Sequence, residues 1–121
     1  MSEFVTPDPQ LLINAFGVAP EITGETQRTL RFKEVTGEDV TFSYDAIGRS
    51  VGVSWLTDSG ELRMRLFREG ARLLRVVEED GRSCLLVEFR TADTAGELKV
   101  QILPVVSVTE SMLFAVSRDE L

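Results

Sequence analysis

Between Thr29 and about Val108 the chain repeats one pattern: strand-length segments of alternating apolar and polar residues, separated by short turn signals. A period of two puts successive side chains on opposite faces of a strand, so the alternation marks strands with one buried face. Leu30 and Phe32 alternate with Arg31 and Lys33. Val40, Phe42 and Tyr44 alternate with Thr41 and Ser43, and Val51, Val53 and Trp55 with Gly52 and Ser54. Turns at Thr36–Asp39 and Asp45–Arg49 separate these runs.

Turn chemistry sets the expected registers. A two-residue Ser59-Gly60 turn pairs Trp55 with Met64 and Val53 with Leu66. A three-residue Arg68-Glu69-Gly70 loop, with Gly70 left-handed, pairs Met64 with Leu74 and Leu62 with Val76. A two-residue Asp80-Gly81 turn pairs Val76 with Leu85 and Leu74 with Val87. These choices keep Val53, Trp55, Leu62, Met64, Leu66, Leu74, Val76, Leu85, Val87 and Phe89 on one face, and a slip of one residue would split the set. The loop Thr91–Gly96 then pairs Phe89 with Leu98 and Val87 with Val100. It sets Arg90 opposite Glu97 and Glu88 opposite Lys99, two attractive cross-strand pairs.

Ahead of the strands, residues 1–7 read as a loose start. Asp8-Pro9 suits a helix N-cap and first position, because Asp accepts a free backbone N–H and Pro has none to lose. Leu11, Leu12, Ala15 and Phe16 form one apolar stripe, and Gly17 and Pro20 stop the helix, which spans about 9–16. Residues 18–27 read as loop. Past Ile102, Pro104 marks an edge, bulge or bend, Val105–Val108 is extended, 109–116 is a last strand in preference to a short helix, and 117–121 is a polar tail. The expected fold is one mainly β domain over 1–121: a short N-terminal helix, then an antiparallel meander of about seven to eight strands over about 29–116. Such a sheet must curl, either into an up-and-down barrel or into a strongly curved sheet around the helix.

Charge and missing residue types narrow the function. Twenty acids against thirteen bases give a net charge of −7. Nucleic acid and anionic membranes reward positive potential, so neither is an expected partner. The excess of acid is uneven: residues 61–90 hold seven arginines and six acids. The chain has no histidine, which removes the commonest general base and metal ligand. Its acids sit mostly at turns, where they solvate and cap, and the inward face holds none. Glu78-Glu79-Asp80 lacks the spacing of a calcium loop. No catalytic residue, metal site or cofactor is expected. A single Cys84, with no histidine to activate it, reads as an inert, partly buried thiol. One cysteine and no apolar leader point to the reducing cytoplasm.

The second face of the central strands mixes arginines with apolar residues. Arg63, Arg65, Phe67, Leu73, Arg75 and Leu86 are the candidate partner-binding residues, because arginine beside aromatic and aliphatic groups is a composition enriched at interfaces. The register sets Arg63 opposite Arg75, a repulsion that neighbouring acids or an external anionic surface would relieve. The N-terminal helix, a protein partner or a second copy is expected to cover part of this face. Two function classes remain. One is a non-catalytic protein-interaction module, an acidic binding or inhibitor protein with the profile of immunity-type proteins, acting on a macromolecular partner. The alternative is a carrier holding an apolar small-molecule ligand inside a barrel, although bulky inward residues favour a filled core.

Overall fold

The computed structural model describes residues 3–114. Its one long helix, α1 (Pro9–Phe16), starts where the Asp8 carboxylate accepts the Gln10 N–H at 2.8 Å and ends where Gly17 turns left-handed at φ 72°. A single helical turn, α2 (Lys33–Thr36), follows Phe32 and closes at Gly37, φ 78°. Phe32 therefore leaves the ladder instead of alternating within it, and its ring meets the edge of Phe16, with centroids 5.5 Å apart.

The remaining elements form an antiparallel meander in two sheets. The first holds β1 (Glu21–Ile22), β2 (Gln27–Arg31), β3 (Asp39–Asp45), β4 (Ser50–Leu56) and β5 (Leu62–Glu69), in sequence order. The second holds β6 (Ala71–Glu79), β7 (Arg82–Arg90), β8 (Thr94–Leu103) and β9 (Ser107–Phe114). The meander does not close into a barrel. Their inward residues meet in one core, in which Leu30, Phe42, Val53, Leu85, Val87, Leu98 and Val100 are almost wholly buried. Leu12 and Phe16 of α1 enter the same core, while Leu11 and Asn14 line a depression with Leu73 and Arg75 of β6.

Several expected registers hold. Trp55 pairs with Met64 and Val53 with Leu66, although a bulge at Leu56 alters the turn beyond them. Val76 pairs with Leu85 and Leu74 with Val87 across an Asp80-Gly81 turn in which both residues have positive φ.

Two registers differ. The expected hairpin of Met64 with Leu74 does not form, because β5 and β6 belong to different sheets. Gly70 is left-handed, at φ 84°, but it makes a corner: Ala71 donates to the Arg49 carbonyl at 3.0 Å, and the Gly70 carbonyl accepts from Arg90 at 2.9 Å. The turn after β7 is also tighter than expected, with Thr91 N–H donating to the Thr94 carbonyl at 2.9 Å. That moves the register by two residues. Val87 pairs with Leu98 and Leu85 with Val100, Arg90 faces Ala95, and Glu88 faces Glu97. The two attractive pairs are lost, yet every side chain keeps its face, because two residues is one full period.

Within the expected loose start at 1–7, Phe4 and Val5 are fixed in place. Phe4 is buried in the core, and Val5 bridges to Leu73, its N–H donating to the Arg72 carbonyl at 2.9 Å. The 18–27 loop contains the short strand β1. The last strand runs to Phe114, and the expected positions 115–121 lie outside the described residues.

Two glycines inside strands do different work. A Cβ on Gly96 would lie 2.5 Å from the Ser111 carbonyl oxygen of the neighbouring strand, whereas one on Gly52 would lie 3.7 Å from the nearest atom, the Leu66 oxygen. Gly96→Ala is expected to destabilise the domain by about 1–3 kcal/mol through overpacking. Gly52→Ala is expected to stay within about 0.5 kcal/mol of the parent. Urea denaturation of both variants checks the contrast.

Candidate functional site

The outer face of the five-stranded sheet is shaped by side-chain length. Its register stacks two outward rows: Thr29, Ser43, Gly52 and Phe67, and beside it Arg31, Thr41, Ser54 and Arg65. The central strands carry only short side chains there, while β5 carries Arg65 and Phe67. The result is a trough of about 270 Å³ with Ser43, Gly52 and Ser54 on its floor and Arg65 and Phe67 on its rim. Phe67 leaves 60% of its surface exposed. A hydroxyl ladder supports the adjoining strands: Gln27 Nε2 donates to Thr23 Oγ1 at 3.1 Å, Thr23 and Thr29 hydroxyls lie 2.8 Å apart, and Thr29 and Ser43 hydroxyls 3.1 Å apart.

The six candidate residues from the sequence do not form one patch. Arg65 and Phe67 point outward from β5, and Leu73, Arg75 and Leu86 point outward from β6 and β7 of the other sheet, whereas Arg63 is the unpaired residue of the β4–β5 bulge and lies over the ring of Trp55, a residue of the inward face. Arg63 and Arg75 are therefore not opposite each other. Both have acidic neighbours within their own sheets. Arg63 lies 3.6 Å from Glu38 and over the Trp55 ring, and the Trp55 indole N–H donates to the same carboxylate at 3.2 Å. Arg75 lies 3.7 Å from Glu88. Leu86 is only 8% exposed, between Arg75 and Lys99 on the neighbouring strands, so it offers a partner little surface. Arg65 forms no ion pair among the described residues.

The trough floor was the part that sequence reasoning missed. Thr41, Ser43, Gly52 and Ser54 look like ordinary solvated alternation, and only their adjacency across two strands makes a depression. The signal was their small size at consecutive outward positions.

The surroundings shift several titratable groups. Burial pushes the Cys84 thiol up, against the opposing pull of Lys99 and Arg82, which keeps it protonated and unreactive. Burial likewise raises the Tyr44 phenol. Asp45, at the end of the trough, is held below its ordinary value by the Gly48 N–H at 2.9 Å, then the Thr26 hydroxyl at 2.7 Å and the Ile47 N–H at 3.1 Å. Among the described residues no three Cys, Asp or Glu side chains gather as a metal site. No helix among them is long and apolar enough to cross a membrane.

Comparison with known proteins adds one finding. No family model and no curated protein matches the chain. A chain of the contact-dependent growth inhibition toxin–immunity protein complex from Klebsiella pneumoniae 342 matches 93% of this chain and 100% of its own length. The TM-score is 0.77 at 14% identity. The two chains share a fold.

The Asp45 turn generates a pH prediction. A folded-state value below the unfolded 3.8 means that the unfolded chain binds more protons as the pH falls. The stabilisation is therefore complete above pH 3.8 and is lost as pH drops through the lowered folded value. Carboxyl NMR titration is expected to place the Asp45 midpoint below 3.8. Asp45→Asn is expected to reduce the acid-dependent part of the stability loss in that window.

Proposed function

We propose that this chain is a non-catalytic binding protein of the immunity type, which neutralises a protein toxin by docking onto it. The observation that carries this reading is the fold likeness, over the whole length of a chain from a toxin–immunity complex. The net charge of −7 supports it, because a negative field speeds encounter with a basic protein and sets its orientation. The contact surface in this proposal is the trough on the five-stranded sheet. Phe67 and Arg65 supply the aromatic and guanidinium anchors that dominate interface energetics, and the short floor residues admit a side chain from the partner. The single unpaired Cys84 suits action in the reducing cytoplasm.

The test starts from the protein purified gently from its own cells, with native mass spectrometry to detect a bound protein. That protein is then expressed alone and together with this chain. Growth arrest alone and normal growth together are expected. A partner that is harmless alone, or that arrests growth regardless of this chain, overturns the reading. Phe67→Ala is expected to weaken the complex by about 2 kcal/mol or more, roughly thirtyfold. It should leave the melting temperature unchanged, since Phe67 is exposed. Isothermal titration calorimetry and thermal melts check both.

A further inference from the structure

The outer face of the four-stranded sheet carries a second depression, of about 760 Å³, which the toxin-binding reading does not use. Two outward rows cross it. One runs Leu73, Glu88, Glu97, Ser111, and the next runs Arg90, Ala95, Leu113. Arg72 lines it from the bulge between Ala71 and Leu73, and Val5 flanks Leu73. Val5 and Leu113 are 52% and 73% exposed.

Two features of this face are unusual for so acidic a chain. Glu88 stands directly opposite Glu97, an arrangement that weakens a sheet. Arg75 offsets Glu88 from the far side at 3.7 Å, while Glu97 has no ion-pair partner among the described residues. The charges lining the depression nevertheless cancel, Glu88 and Glu97 against Arg72 and Arg90. Two chains of charge −7 repel each other over most of their surfaces. A neutral patch with exposed apolar groups is where they approach at least cost.

We propose that this face docks a second copy of the chain about a two-fold axis. With the axis running across the strands between the two rows, each row lies over the other row of the second copy. Arg90 of one copy then meets the Glu88–Glu97 pair of the other, and the contact occurs twice. The guanidinium relieves the repulsion that the isolated sheet tolerates, and Leu73, Ala95, Leu113 and Val5 lose their contact with water. A two-fold interface requires such self-complementarity, in which each patch carries both halves of every contact. A basic partner would find no excess of acid here. The proposal is independent of the toxin-binding reading, because it concerns the opposite outer face and is tested on the pure protein.

The test is sedimentation velocity over a range of concentrations, with circular dichroism melts to confirm that each variant folds. The parent chain is expected to dimerise. Arg90→Glu, and separately the double variant Glu88→Gln, Glu97→Arg, are each expected to weaken the dimer by about tenfold or more, since like charges then face each other. Mixing these two variants is expected to restore a dimer made of one chain of each. Leu113→Glu, at an exposed position, offers a second route to the monomer. A parent that stays monomeric overturns the proposal. So does a dimer that Arg90→Glu and Leu113→Glu leave intact, or variants that fail to associate when mixed.

Discussion

The corner at Gly70 is the constraint on which the architecture rests. A residue with φ 84° has turned the chain out of the first sheet, and a Cβ there would lie 2.8 Å from the Thr91 methyl carbon. The Gly70 carbonyl is held by the Arg90 N–H, and the next N–H, of Ala71, is held by the Arg49 carbonyl. One peptide unit thus ties the β3–β4 turn of one sheet to the end of β7 in the other. Without it, β5 would continue the ladder into β6 and the apolar faces would not be brought together. Just before the corner, Arg68 reaches across to Glu110 of β9 with two hydrogen bonds, at 2.7 and 2.9 Å. Both residues have inward parity, so the interior face is not free of charge at its margin. The pair is partly exposed and contributes little stability by itself, but its forked geometry fixes β5 against β9.

Much of this was legible in the residues, and the misreadings have specific physical causes. The helix was readable because both ends have local chemistry, an Asp8 cap and a left-handed Gly17. The Asp80-Gly81 hairpin was readable because a two-residue turn with positive φ at both positions permits one register. Gly70 misled because left-handed glycine serves a bulged hairpin and a corner equally well. The local sequence does not record which strand comes next in space. The β7–β8 register misled for another reason. A slip of two residues leaves every apolar side chain inside, so hydrophobic pattern is blind to it. The attractive charge pairs favoured the wrong register, but each such pair is worth only about 0.2–1 kcal/mol. The arginine candidates then separated as a direct consequence: once β5 and β6 part, Arg65 and Arg75 belong to different outer faces.

The same separation explains why function is harder to read here than fold. The core asks only that inward positions be apolar and of suitable volume, and many sequences satisfy that. Two chains 14% identical can therefore build the same sheets, as this one and its structural counterpart do. Fold alone leaves function open. The outward positions are under no such demand from packing, and they are where this chain departs from plain solvation. Short residues at the centre of one sheet and long ones at its margin make a trough. On the other sheet, like charges are left facing each other beside arginines and an exposed leucine. Because the sheets pack through their inward sides, occupation of one outer face leaves the other open. The two proposed contacts, a second copy on one side and a toxin on the other, therefore do not exclude each other. On the proposed reading, specificity lies in a few outward residues, Arg65 and Phe67 first among them, which can change without disturbing the interior.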